Sequence, residues 1–169
     1  VFIDVGFSAA LIQNKENSTL TYNTIFIFNI IAGICLTGLV YFMSDLIGEF
    51  YNNPEIAVLV KWLSLFFVFN SFNRVQNAIL SRELNFKALT LRMFIASTIG
   101  GSLGVAAAYN DYGVYSLVIQ ILSTAVMSTL LLWSTSKWRP ELQFSYQEMK
   151  KLFGFSVFAF LERVMNNIF

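Results

Sequence analysis

Apolar residues run through this chain in long unbroken stretches rather than in alternation. Between Glu16 and Asp45 stand 28 residues without a charge, between Arg92 and Asp111 stand 18, and between Asp111 and Lys137 stand 25. About 20 apolar residues cross the hydrocarbon core of a bilayer as a helix, so each stretch predicts a membrane-spanning helix. A fourth run, rich in Phe, Leu and Val, is interrupted only by Lys61 and Arg74. Segments such as Ile25-Phe26-Ile27-Phe28 lack the two-residue alternation of a membrane barrel. The expectation is an all-α membrane protein: one transmembrane domain with spans near 21–44, 56–80, 88–109 and 113–136. Partial spans at 1–13 and 150–169 flank them. Because the chain opens and closes inside apolar stretches, we expect it to be an internal piece of a longer protein. Tyr51-Asn52-Asn53-Pro54 and Asn110-Asp111-Tyr112-Gly113 read as tight turns, so successive helices run antiparallel.

Composition agrees. The chain of 169 residues is 56% hydrophobic and 12% charged, against about 25% charged in soluble domains. It has no His and one Cys, Cys35, which leaves no set of residue types for a His-ligated zinc or a thiolate cluster. A net charge of +1 is far too small for a nucleic-acid footprint. No GxxxxGK[ST] phosphate loop occurs, so an ATP motor is not expected in this stretch. No cofactor, metal or catalytic residue is expected.

Lys and Arg concentrate in cytoplasmic loops. The first, third and fifth connections hold seven: Lys15, Arg82, Lys87, Lys137, Arg139, Lys150 and Lys151. The second and fourth, 44–55 and 109–114, hold none and carry Asp45, Glu49, Glu55 and Asp111 instead. Residues 14–20, 82–87 and 137–151 are therefore read as cytoplasmic. Phe50, Tyr51, Tyr109, Tyr112, Trp133 and Trp138 stand near span ends, where aromatic belts form.

Charges inside a bilayer mark function or pairing. Lys61 and Arg92 lie within about two turns of a helix end and are expected to snorkel. Arg74 lies about 12 Å deep, eight residues before Arg82. Asn70, Arg74, Asn77 and Ser81 share one helical face. That stripe either lines a hydrated substrate path or packs on a partner helix. Asp4 sits at similar depth and would pair with Arg74. Arg163, with Glu162, Asn166 and Asn167, makes a second polar patch, either a local ion pair or part of the path. Ala96, Gly100, Gly104 and Ala108 recur every four residues as a small-residue packing ridge, with Gly100-Gly101 a candidate bend. Gln120, Ser123, Thr124 and Ser128 are expected to hydrogen-bond between helices.

The sequence DVGFSAALIQ (4–13), followed by a charged linker and YNTIFIFNI (22–30), resembles the polysaccharide-biosynthesis branch of the MOP flippase superfamily. That branch includes the lipopolysaccharide and colanic-acid exporters. SRELNFKAL (81–89), YGVYSLVIQ (112–120), LLLWSTSKWRPELQFS (130–145) and KKLFGFSVFAFL (150–161) continue the likeness in order along nearly the whole chain. The resemblance implies a transporter fold of a dozen or more helices in two halves around a central cavity. It implies alternating-access export of an undecaprenyl-pyrophosphate-linked oligosaccharide across the bacterial inner membrane. Membrane lipids, a polysaccharide polymerase and glycosyltransferases are the implied partners. Within it, Arg74, Asn70, Asn77, Arg163 and Asn167 are candidates for the substrate path, the arginines for the pyrophosphate. Alternatives are a cation-coupled drug exporter of the same superfamily, a membrane glycosyltransferase or polymerase, and a non-transport scaffold.

Overall fold

A computed structural model describes residues 19–136 and 138–150. Four long helices follow one another: α1 (Thr19–Phe50), α2 (Pro54–Arg82), α3 (Phe86–Tyr109) and α4 (Tyr115–Thr135). All four are long and apolar enough to cross a membrane. At 32 residues, α1 is about 48 Å long, well beyond a hydrocarbon core of about 30 Å. The expected spans lie inside these helices or within two residues of their ends.

The turns explain why the helices stop where they do. At the end of α1, Asn53 N–H donates to the Gly48 carbonyl and Asn52 N–H to that of Glu49, both at 3.0 Å. Asn52 takes a left-handed φ of 51°. The same double bond closes α2 through Leu84 (φ 54°) and α3 through Asp111 (φ 62°). Each end is thus a Schellman motif, which satisfies carbonyls a helix leaves open. Restarting is equally local. The Asn53 side chain accepts from Glu55 N–H at 2.9 Å, with Pro54 in the first turn, and the Asn85 side chain caps α3 on Ala88 N–H at 3.2 Å.

The helices pack as two hairpins, α1 on α2 and α3 on α4, joined chiefly along α2 and α4. Ala57, Ser64, Ser71 and Ala78 recur every seven residues on α2, and all are buried. Against this seam α1 presents Gly33 to Ser71 and Gly48 to Ala57, so closely that a Cβ on either glycine would stand 2.8 Å from its neighbour's Cβ. Thr37 donates to the Ser64 carbonyl across it at 2.9 Å. Lipid offers no hydrophobic drive for helices to associate, so close backbone approach through small residues supplies the attraction.

The α3–α4 contact uses the four-residue ridge, with one change. Ala96, Gly100 and Gly104 are buried, but the next buried residue is Ala107, and Ala108 is exposed. Steps of four residues advance 400° around a helix, so the face drifts by about 40° per step. By Ala108 the drift is about 120°, whereas Ala107 returns to within about 20° of Ala96.

Candidate functional site

The polar face of α2 is wider than the periodicity implied. Asn70, Arg74, Asn77 and Ser81 are half-buried along one side. Beside them Asn73 and Gln76 are buried. Asn73 donates from Nδ2 to Thr129 Oγ1 on α4 at 3.1 Å. Thr129 in turn donates to the Ala125 carbonyl of its own helix at 2.8 Å. Gln76 is fully buried, and neither amide atom finds a hydrogen-bond partner among the described residues.

Arg92 joins this face. Instead of snorkelling towards the helix end, it turns into the bundle and donates from Nη1 to Asn77 Oδ1 at 2.7 Å. An amide held by a neighbouring helix answers the guanidinium where lipid offers nothing. Lys61 forms an ion pair with Asp45, near the end of α1, at 2.8 Å and lies 5.6 Å from the centre of the Tyr41 ring. Thr124 was expected to bond across helices, yet its hydroxyl donates to the Gln120 carbonyl one turn back at 2.7 Å. The bond to a neighbouring helix comes from Thr129.

Between the hairpins lies a cavity of 690 Å³, open on one side. Val40, Val60, Leu63, Phe66, Phe67 and Ile121 make most of its wall, with Ser64, Ser97, Gln120 and Thr124 as its polar points. The candidate path residues Asn70, Arg74 and Asn77 do not line it. The apolar cavity and the polar stripe are separate features, at different levels of the bundle.

The connector after α4 supplies a further feature. Residues 138–145 fold back over the start of α1, and helix resumes at 146–150. Asn23 Oδ1 accepts from Glu141 N–H at 3.2 Å, Thr24 Oγ1 accepts from Ser145 N–H at 3.1 Å, and Thr21 donates to Glu148 Oε2 at 3.0 Å. The Trp138 ring packs edge-on against Tyr22 and Phe26, with centroids 6.3 and 5.6 Å away. Trp133 meets Phe26 at a tilt and Phe72 edge-on. Both indoles are half-buried in this cluster at the end of α4. Phe50, Tyr51, Tyr109 and Tyr112 are exposed near the helix ends. Arg82 reaches from α2 to the Tyr22 hydroxyl at 2.7 Å.

Among the described residues no three His, Cys, Asp or Glu side chains gather as a metal site would need. Asp4, Arg163 and Asn167 lie outside the described residues, as does the expected Asp4–Arg74 pair.

A family model described as "Polysaccharide biosynthesis protein" matches residues 1–169, the entire chain. The chain belongs to that family. Three curated relatives agree. The chain is 28% identical to the teichuronic acid biosynthesis protein TuaB of Bacillus subtilis over 99% of its own length and 35% of the relative's. It is 29% identical to the lipopolysaccharide biosynthesis protein WzxC of Escherichia coli, over 96% of this chain and 34% of that one. It is 23% identical to the succinoglycan biosynthesis transport protein ExoT of Rhizobium meliloti, over 89% and 31%. The chain therefore spans about a third of the length of these relatives. No solved structure matches it.

Membership in the polysaccharide biosynthesis family matches the resemblance carried by the motifs at 4–13, 22–30, 81–89, 112–120, 130–145 and 150–161. Two of those motifs acquire a physical meaning. The Tyr22–Ile30 segment and the 130–145 segment are the two sides of the connector clamp. The protein is a multi-pass membrane member of its family, with four membrane-crossing helices among the described residues.

Proposed function

We propose that this protein transports lipid-linked oligosaccharide units across the bacterial inner membrane for polysaccharide assembly, acting as a carrier and not as an enzyme. The observation that carries the reading is a polar, arginine-bearing face on a helix otherwise built for lipid. Asn70, Arg74, Asn77 and Ser81 share one side of α2 in a family whose relatives are named for polysaccharide biosynthesis and, in one case, transport. Such a face is expensive in a bilayer unless it packs on polar groups of a partner helix or borders water or a polar cargo. Arg74 is assigned to an anionic headgroup because a planar guanidinium grips phosphate oxygens in pairs. Asn70 and Asn77 would meet sugar hydroxyls, and Arg163 and Asn167 would extend the path. The carrier lipid in this reading is undecaprenyl pyrophosphate, with glycosyltransferases supplying the cargo and a polymerase receiving it. The seven-to-none charge asymmetry supports placing 14–20, 82–87 and 137–151 in the cytoplasm.

The test is deletion of the gene, with surface polysaccharide and lipid-linked repeat units measured together. Transport predicts that surface polymer falls while lipid-linked units accumulate on the cytoplasmic leaflet. If the lipid-linked units are never made, the protein is a biosynthetic enzyme. If neither quantity changes, it is not required for polysaccharide export.

A further inference from the structure

The two hairpins meet chiefly along α2 and α4. On that seam four buried polar atoms make no hydrogen bond among the described residues: Asn73 Oδ1, both amide atoms of Gln76, and Trp133 Nε1. The orientation of Asn73 is fixed by its partner. The Thr129 hydroxyl gives its proton to the Ala125 carbonyl at 2.8 Å, so towards Asn73 it can only accept. Nδ2 therefore faces Thr129, at 3.1 Å, and Oδ1 faces away. Gln76 is fully buried, so bulk solvent does not reach its amide. Buried polar atoms are nearly always paired with protein or with ordered water, and a bare one is unfavourable.

The four atoms belong to one place in the fold. Gln76 follows Asn73 by three residues and Trp133 follows Thr129 by four, so each pair shares a helix face. One antiparallel helix stands between α2 and α4, which therefore run in the same direction. The two steps lead the same way, by about 4.5 and 6 Å. Long side chains on a helix lean towards its N-terminus, which returns Gln76 and Trp133 towards the Asn73–Thr129 bond. The indole agrees with this: its centroid lies 6.3 Å from that of Phe72, the residue next to Asn73.

The chemistry of the set selects its ligand. Asn73 Oδ1 and Gln76 Oε1 are acceptors, and Gln76 Nε2 and Trp133 Nε1 are donors. An anion would answer only the donors, and a cation only the acceptors. Water donates twice and accepts twice, and a buried water makes about three such bonds. A larger hydroxyl compound has no way in, because Gln76 has no exposed surface. We infer that bound water bridges Gln76, Asn73 and Trp133 and so links α2 to α4. The Asn73–Thr129 bond is one rung between the hairpins, and the water makes a second beside it. Neither Gln76 nor Trp133 belongs to the stripe assigned to cargo, so the site stands or falls independently of the transport reading.

The indole N–H of Trp133 reports on the site, because an ultraviolet resonance Raman band of tryptophan shifts when that N–H is hydrogen-bonded. The band is isolated in the full-length protein in nanodiscs by subtracting the spectrum of the Trp133→Phe counterpart. In wild type it should stand where a hydrogen-bonded indole does. In Gln76→Met, which keeps the length of the side chain and removes its polar atoms, it should shift towards the position of a free indole. Gln76→Asn separates water from a direct bond. The shortened amide cannot reach the indole itself but still holds a bridging water, so the N–H should stay bonded. A free N–H in wild type overturns the water rung, and that measurement needs no Gln76 variant to fold. A bonded N–H that Gln76→Met leaves unchanged overturns it too, and so does one that Gln76→Asn sets free, since the bond would then be direct. Thermal unfolding gives a second readout. Removing a bridged amide lowers the unfolding temperature, whereas removing a stranded one raises it. A Gln76→Met protein more stable than wild type therefore also overturns the inference.

Discussion

Gly100 and Gly101 are adjacent in sequence, and substituting each with Ala should move stability in opposite directions. A Cβ built on Gly100 would collide with the Thr124 hydroxyl and stand 2.9 Å from both the Gln120 carbonyl oxygen and the Thr124 backbone nitrogen. A hydroxyl can rotate, but backbone atoms of a packed helix cannot swing aside. Ordinary contact begins near 3.5 Å, so α3 and α4 must part by about 0.5 Å. Overpacking of this kind costs about 1–3 kcal/mol, and Ala returns about 0.8–1 kcal/mol of helix propensity. Gly100→Ala should therefore lose up to about 2 kcal/mol. A Cβ on Gly101 meets nothing within 4 Å, so Gly101→Ala keeps the propensity gain alone, about 0.8–1 kcal/mol. Thermal unfolding of the detergent-solubilised protein reads the difference, with each variant measured beside wild type. A Gly100→Ala protein as stable as Gly101→Ala would show that α3 and α4 do not meet along this ridge.

Three further outcomes follow from particular contacts. Leu84 sits at φ 54° and is exposed, a conformation that costs a non-glycine residue about 1–2 kcal/mol; Leu84→Gly should raise the unfolding temperature, and no change would mean the turn is not left-handed. Asn23→Ala removes the acceptor of the Glu141 N–H. Losing about 1 kcal/mol should open the connector about fivefold more often, seen as faster cleavage after Glu141 by a Glu-specific protease; an unchanged rate would mean that the clamp does not hold the connector. Cysteines at Asn53 and Asp111 should react with an impermeant thiol reagent from outside the cell and one at Leu142 should not; reaction of the three from one side would refute the charge-derived orientation. Leu142 is the suitable inner site because it is exposed, whereas Ser136 is buried.

Sequence alone determined what depends on neighbours along the chain. The four spans follow from uncharged runs long enough to cross a bilayer, and the turns follow from Asn52-Asn53-Pro54 and the Asn110–Gly113 segment, whose residue types favour caps and left-handed backbone. The polar stripe through Asn70, Arg74 and Asn77 was legible for the same reason, since residues on one helix share a fixed period. Even the seam of Ala57, Ser64, Ser71 and Ala78 is present as a seven-residue repeat, although only its contact with Gly33 and Gly48 shows what it packs against. Tertiary structure decided the rest. An Arg two turns from a helix end has several places to go, and Arg92 turns inward because another helix presents Asn77 at the right height. Ala107 replaces Ala108 because the ridge must follow its partner helix and not a fixed count. The docking of Trp138, Glu141 and Ser145 onto Tyr22, Asn23 and Thr24 joins residues more than a hundred positions apart. No periodicity links such residues; they meet only because the bundle brings the end of α4 beside the start of α1.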